Sequence, residues 1–218
     1  MDRPEEKLLA ARNQMVQRQL RQRGIHREEI LQAFLEIPRH RFVPPERIGE
    51  AYADRPVPIG FGQTISQPYI VALMLQELDL SAQHRVLDVG SGSGYQTALL
   101  ARLSRWVYAV ERIDELRERA AALLTELDVS NVTFRTGDGT LGWDSEAPFD
   151  RIVCGAGAPE VPPAWIRQLA DGGRILFPEG GRETQSLIAI EKRGEQVGRR
   201  EICGVRFVPL IGSDGWPE

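Results

Sequence analysis

A chain of 218 residues, 42% of them hydrophobic, carries enough apolar material for one well-packed core, which argues against a disordered or fibrous protein. Its formal net charge of -4 argues against a general surface for nucleic acid or anionic lipid, since either needs a concentrated excess of Lys and Arg. No apolar run reaches the ~18 residues of a membrane span and the opening MDRPEEK is too charged for a signal peptide, so a soluble, cytoplasmic protein is expected.

From about Glu5 to Ile37 the pattern is helical. One helix ends near Arg23-Gly24, and a second carries Ile30, Ala33, Phe34 and Ile37 on one face. Arg12, Arg18, Arg21, Arg23 and Arg27 read as a solvated face rather than a basic stripe, because glutamates flank them at both ends. Prolines at 38, 44, 45, 56, 58 and 68 then forbid a long helix or a central strand. Phe42, Tyr52 and Phe61 are interleaved as anchors, so an ordered connection or a set of short edge pieces is expected. Its last part, IGFGQTISQP, offers no acid or base yet places two hydroxyls, Thr64 and Ser66, one residue apart. By local rules alone Ser66 is an N-cap for the apolar helix that follows.

After Gln83 strands and helices alternate: RVLDVG, then the helix YQTALLARL, VYAVE, and the helix DELRERAAALLTEL with Leu116, Ala120, Leu123 and Leu127 on one face. VTFRTGD and FDRIVCGAG follow as strands, then a helix PPAWIRQLA, a stop at Gly172-Gly173 and the strand RILFPEG. Such alternation specifies an α/β fold with a doubly wound, mostly parallel sheet. SLIAIEKR, a charged turn RGEQVGRR and CGVRFVPL read as an antiparallel hairpin closing the sheet edge. A single domain over 1–218 is expected, with N-terminal helices and a loop over 1–82 ahead of the sheet in 83–218. Cys154 and Cys203 lie far apart in apolar strands and read as buried, reduced thiols. His26, His40 and His84 have no metal-ligand spacing, so no metal site is expected.

The first strand runs into VLDVGSGSGY, where Gly90, Gly92 and Gly94 allow a tight turn and close approach of a ligand. Tyr95 stands where the dinucleotide fingerprint has its third glycine. Glu111 ends the second strand at the interval of about 20 residues at which an acid meets a ribose diol. An adenosine ligand is therefore expected. Asp88 below the glycine loop suits a ligand with an ammonium and a sulfonium better than a pyrophosphate, and Gly137-Asp138-Gly139 ends the third strand where an adenine amino group can be held. These features favour S-adenosylmethionine, with a nicotinamide-dependent oxidoreductase or a non-catalytic S-adenosylmethionine-binding protein as alternatives. A nucleic-acid base methyltransferase is disfavoured, because the fourth strand ends in CGAGAP rather than an Asn/Asp-Pro-Pro-aromatic segment.

The segments MVQRQLRQRGI, PRHRFVPP, AYADRPVPIGFGQTISQPYIVALM, VLDVGSGSGYQTALLA, VERIDEL, NVTFRTGDGTLGW, APFDRIV, VPPAW, GGRILFP and VRFVPL span nearly the whole chain. In them the sequence resembles the protein-L-isoaspartate O-methyltransferases, most particularly in GQTISQP and FVPL. The resemblance implies a class I, Rossmann-like methyltransferase fold and esterification of the misplaced carboxylate of L-isoaspartyl residues in damaged proteins. It implies Ser66 as the active-site serine, Thr64 and Ile65 lining the space between cofactor and substrate, and Val208 as a backbone contact to the substrate peptide. S-adenosyl-L-methionine would be held by Asp88, Gly90, Ser91, Gly92, Gly94, Glu111, Arg112, Gly137, Asp138 and Gly139. A monomer acting on damaged proteins, with neither nucleic acid nor membrane as partner, is expected. The sequence departs from the family's commonest pattern at Asp88, in place of Glu, at CGAGAP and at Glu179.

Overall fold

The computed structural model describes residues 4–218; the first three residues of the charged opening lie outside the described residues. Helix α1, Pro4–Gln14, continues through a wider π turn, Met15–Leu20, and a 3-10 turn that stops at Gly24, whose φ of 93° only glycine adopts without strain. Helix α2, Glu28–Glu36, buries Ile30, Leu31, Ala33 and Phe34. The arginines of this region do more than face solvent. Arg12 donates to the carbonyls of Leu35 and Glu36 at 2.8 and 3.1 Å, Arg23 pairs with Asp54 at 2.6 Å, and Arg27 with Asp79 at 2.8 Å. Arg12 joins α1 to α2, Arg23 and Arg27 tie the helical extension to the segments that follow it, and Arg18 and Arg21 remain exposed.

The proline-rich stretch is ordered. Two 3-10 turns, Arg39–Phe42 and Pro45–Glu50, lead into a hairpin of β1, Val57–Gly60, and β2, Gln63–Ile65. Its turn runs through Gly60, Phe61 and Gly62, all at positive φ. Phe42 and Tyr52 are buried as anchors, but Phe61 stands 47% exposed at the hairpin tip beneath the Arg119 guanidinium, because a tip residue has no layer to pack into. Helix α3, Pro68–Leu78, follows, with its proline in the first turn where no N–H is required.

Seven strands form the main sheet: β3 Arg85–Val89, β4 Trp106–Glu111, β5 Val132–Thr136, β6 Phe149–Cys154, β7 Leu169–Gly180, β8 Gln185–Arg193 and β9 Gln196–Val205. Their order is β5-β4-β3-β6-β7-β8-β9, parallel through β7, with β8 and β9 antiparallel. Helices α4 (Tyr95–Leu103), α5 (Asp114–Glu126) and α6 (Pro163–Gln168) make three of the four crossovers, and the one from β5 to β6 carries two 3-10 turns, Gly139–Leu141 and Asp144–Glu146. The order reverses between β3 and β6, and a crevice opens beyond the ends of those two strands.

Four expectations need correction. Helix α6 stops at Gln168; Leu169 already pairs with Phe149, so Gly172 and Gly173 lie within β7, beside a bulge against β6, rather than ending a helix. The charged turn shrinks to Gly194-Glu195, because Gln196 to Arg200 form the exposed part of edge strand β9, and FVPL leaves the sheet instead of extending it. Helix α5 buries Leu116, Ala120 and Leu124, with Leu123 and Leu127 only partly covered. Cys154 is buried, but Cys203 on the edge strand is half-buried; both are free thiols.

One face of the sheet shares its apolar core with the N-terminal helices: Met15, Phe34, Leu75, Leu99, Val107 and Leu176 belong to one cluster. Leu87, Phe149, Trp165 and Phe177 build the other face. Among the described residues no helix is long and apolar enough to cross a membrane.

Candidate active site

The glycine loop leaves β3 at the reversal point and reaches α4 through Gly90, Gly92 and Gly94, with φ of 73°, 53° and 83°. Gly90 N–H donates to the Val110 carbonyl at 2.8 Å, so the loop is pinned across the mouth of β4. Glu111, only 6% exposed, clamps it further: its Oε2 accepts from the Gly92 N–H at 2.8 Å and its Oε1 from the Ile113 N–H at 2.9 Å. The other lone pairs of that carboxylate remain on the wall of a cavity bounded by Gly90, Gly92, Val110 and Gly139. Gly139 has to lack a Cβ there, since one would overlap the Val89 side chain.

Asp88 lies behind the loop. It has no exposed surface, and it accepts from Thr97 Oγ1 at 2.6 Å and Gln96 Nε2 at 3.0 Å. Burial pushes its pKa up to about 6, partly opposed by those two bonds. Gln96, not Asp88, is on the wall of the space beside the loop. The Ser91 hydroxyl is buried there without a hydrogen-bond partner among the described residues. Asp138 is likewise engaged: Oδ1 accepts from Thr140 N–H at 2.9 Å and Oγ1 at 2.6 Å, and Oδ2 from Ser213 N–H at 2.7 Å. Arg112 reaches the cavity rim and pairs with Glu218 at 2.7 Å, both largely exposed. Gly137 sits behind the wall that Gly139 completes, its N–H donating to the Glu111 carbonyl at 3.0 Å.

Three spaces meet at the β1–β2 hairpin: the cavity beside Glu111, a smaller space between hairpin and glycine loop, and an open groove of about 640 Å³. Thr64 and Gly155 line all three, Ile65 the second, Ser66 the second and third, and Val208 the first and third. The structure thus brings Thr64, Ser66 and Val208 to the junction. Helix α3 takes Gln67 as its N-cap and has no side-chain capping bond, so the local capping role for Ser66 is not realised. Proline at the first helical position already removes one of the donors such a cap would satisfy. No other described residue bonds the Ser66 hydroxyl, while its carbonyl accepts from Arg39 at 2.7 Å.

A family model described as "Protein-L-isoaspartate(D-aspartate) O-methyltransferase (PCMT)" matches residues 10–215. The chain belongs to the protein-L-isoaspartate O-methyltransferase family. Similar members include the protein-L-isoaspartate O-methyltransferase of Dictyoglomus thermophilum, 50% identical over 199 residues, covering 91% of this chain and 90% of that protein. That of Desulfosudis oleivorans is 47% identical over 218 residues, covering 100% of this chain and 99% of the relative. A solved protein-L-isoaspartate O-methyltransferase superposes with TM-score 0.86 at 30% identity, covering 94% of this chain and 67% of that one. A putative one from Plasmodium falciparum, solved in complex with S-adenosyl-L-homocysteine, superposes with TM-score 0.78 at 27% identity over 96% of this chain and 99% of its own.

The family's cofactor fits what the chain offers. Among the described residues, a carboxylate stands at a glycine-lined wall, a buried hydroxyl on Ser91 lacks a partner, and the one arginine at the rim is already paired, which leaves no cluster of cations there for a pyrophosphate. Residues not anticipated from the sequence also reach the junction. Gly155 lines all three spaces, and the rule that ligands sit beyond strand ends could have singled it out, since it follows β6 directly. Gln96 and Phe207 carried no such signal. Each lies in a segment, a helix start and an apolar strand run, that reads as ordinary structure.

Proposed function

We propose that this protein transfers the methyl group of S-adenosylmethionine to the carboxylate of L-isoaspartyl residues in damaged proteins and so begins their repair. The observation that carries this reading is the Ser66 hydroxyl, unbonded among the described residues, at the point where the glycine-loop space meets an open groove of about 640 Å³. Glu111 is assigned to the ribose diol, Asp138 and Gly139 to the adenine edge, and the Gly90–Gly94 backbone with the Ser91 hydroxyl to the amino-acid end. Asp88 acts on that end through Gln96, which it holds at 3.0 Å. Arg112 closes the rim, and Gly137 shapes the turn behind Gly139.

When bound, S-adenosylmethionine supplies a methyl group on a sulfonium, which an anionic oxygen takes by in-line displacement with no proton transfer. A carboxyl with a solution pKa near 4 is already ionised at neutral pH, so the acid-free and base-free hairpin lacks nothing the reaction needs. What remains is placement to about 3 to 3.5 Å and exclusion of water. Ser66 donates one hydrogen bond to the incoming carboxylate and aims it. Thr64, Ile65 and Gly155 wall the junction, and the backbone at Val208 aligns the substrate chain along the groove. We further propose a cytoplasmic monomer without a nucleic-acid partner, in keeping with the acidic balance of the chain.

Transfer of labelled methyl from S-adenosylmethionine to an L-isoaspartyl peptide, beside its normal aspartyl twin, tests the assignment. Label should enter the isoaspartyl peptide alone. Equal labelling of both, or of neither, would refute it.

A further inference from the structure

The Ser66 hydroxyl is only as well aimed as the peptide that carries it, and a buried cation holds that peptide. Arg39 has no exposed surface. Its Nε donates to the Ala51 carbonyl at 2.7 Å and its Nη2 to the Ser66 carbonyl at 2.7 Å. Among the described residues its buried Nη1 makes no hydrogen bond of ordinary geometry and no carboxylate pairs with it, although the Tyr95 side chain favours its charged form. The guanidinium lies over the Tyr95 ring, 4.9 Å from the centroid. Burial lowers its pKa to about 10, which still leaves it charged at neutral pH.

A guanidinium removed from water with no carboxylate beside it weakens a fold, and an apolar residue of similar volume serves packing better. What an apolar residue lacks is a rigid planar fork. Here the fork joins two carbonyls that are far apart in sequence, one of them on the residue that faces the junction. We infer that Arg39 is a positioning residue for methyl transfer: by gripping the Ala51 and Ser66 carbonyls it fixes the Ser66 peptide so that the hydroxyl points into the junction. Its charge reaches the site only through that peptide, so it does not pair with the incoming carboxylate and does not quench its nucleophilicity. The inference rests on the assignment of Ser66 as the group that aims the substrate carboxylate.

Arg39→Lys keeps the charge and loses the fork. The test measures Arg39→Lys, Ser66→Ala and the double variant for kcat and KM on an isoaspartyl peptide, and for S-adenosylhomocysteine affinity. Arg39→Lys should lower kcat about tenfold or more while peptide KM and S-adenosylhomocysteine affinity stay within about threefold, as expected when a reacting group is misplaced rather than a site lost. In the Ser66→Ala background it should cost no more than about a further twofold, because the group it positions is gone. A kcat within about twofold of wild type in Arg39→Lys, with Ser66→Ala impaired, overturns the role of Arg39 and leaves that of Ser66 standing. Losses that multiply in the double variant, or a parallel loss of S-adenosylhomocysteine affinity, overturn it in favour of a general structural role. Full activity in Ser66→Ala removes the assignment on which the inference rests. Should Arg39→Lys fail to fold, the Nη2–H resonance of Arg39 in the wild-type protein, on the bond to the Ser66 carbonyl, decides: it should shift when the isoaspartyl peptide joins the S-adenosylhomocysteine complex and not when the aspartyl twin does. An unmoved resonance overturns the inference.

Discussion

A carboxyl group with no exposed surface loses the hydration that favours its charged form, and Asp88 is in that position at the foot of the glycine loop. Its pKa rises from an ordinary 3.8 to about 6 on folding. Between those values the folded protein keeps a proton that the unfolded chain has released. The associated stability is therefore complete below pH 3.8, falls as pH rises, and is lost once pH passes about 6, a change of about 3 kcal/mol. Asp88→Asn carries no charge at any of these pH values and is near-isosteric with the protonated acid. Urea unfolding should find the two proteins similar at pH 4 and the variant gaining on wild type by about 3 kcal/mol as pH approaches 7. Parallel pH curves would show that Asp88 does not titrate in this range. The acid at the end of β3 was visible in the sequence as an acid, but not the direction it faces. Thr97 and Gln96 in the next helix decide that, and their identities carry no such signal. Arg39 was invisible for a similar reason: an arginine among prolines reads as surface until the chain is folded over it.

Strand, loop and helix around the cofactor site are held by close contact between elements. Gly94 is the N-cap of α4 at φ 83°, and a Cβ there would lie 2.9 Å from the Cβ of Ala120 in α5. Gly94→Ala should combine left-handed strain of about 1 to 2 kcal/mol with overpacking of about 1 to 3 kcal/mol. Urea unfolding of the variant should show a loss of about 2 to 5 kcal/mol, and a loss below about 1 kcal/mol would mean that α5 moves aside freely. Gly94 was legible with the rest of its loop because the loop follows an apolar strand and precedes a helix. The central strands were legible for a related reason: they are covered on both faces, and continuous apolar runs have few other uses. The edge was less so. Strand β9 exposes most of its side chains, so its first half carries charges that read as a turn, and the α6–β7 boundary was hidden because Leu169 is as compatible with the end of a helix as with the start of a strand.

At the scale of the whole molecule the question is whether the N-terminal third is an appendage or part of one folding unit. Met15, Leu20, Phe34 and Phe42 belong to the same apolar cluster as Leu75, Leu99, Val107 and Leu176, so helices, proline-rich stretch and one face of the sheet share a single interior. Polar ties cross the same boundary: Arg41 pairs with Glu126 and Arg102 with Glu36, each at 2.6 Å. Residues on the two sides of position 82 therefore cannot separate without opening that core, and we propose one cooperative unit. Unfolding followed by far-ultraviolet circular dichroism should coincide with unfolding followed by tryptophan fluorescence. The comparison is informative because Trp106, Trp143, Trp165 and Trp216 all lie beyond residue 82, whereas the dichroism also reports α1, α2 and α3. A helical phase melting ahead of the fluorescence would show that the N-terminal third unfolds by itself. The proposed monomer requires the midpoint to be independent of protein concentration and light scattering to return about 24.4 kDa. A midpoint that rises with concentration would instead place a second copy of the chain within the folded unit.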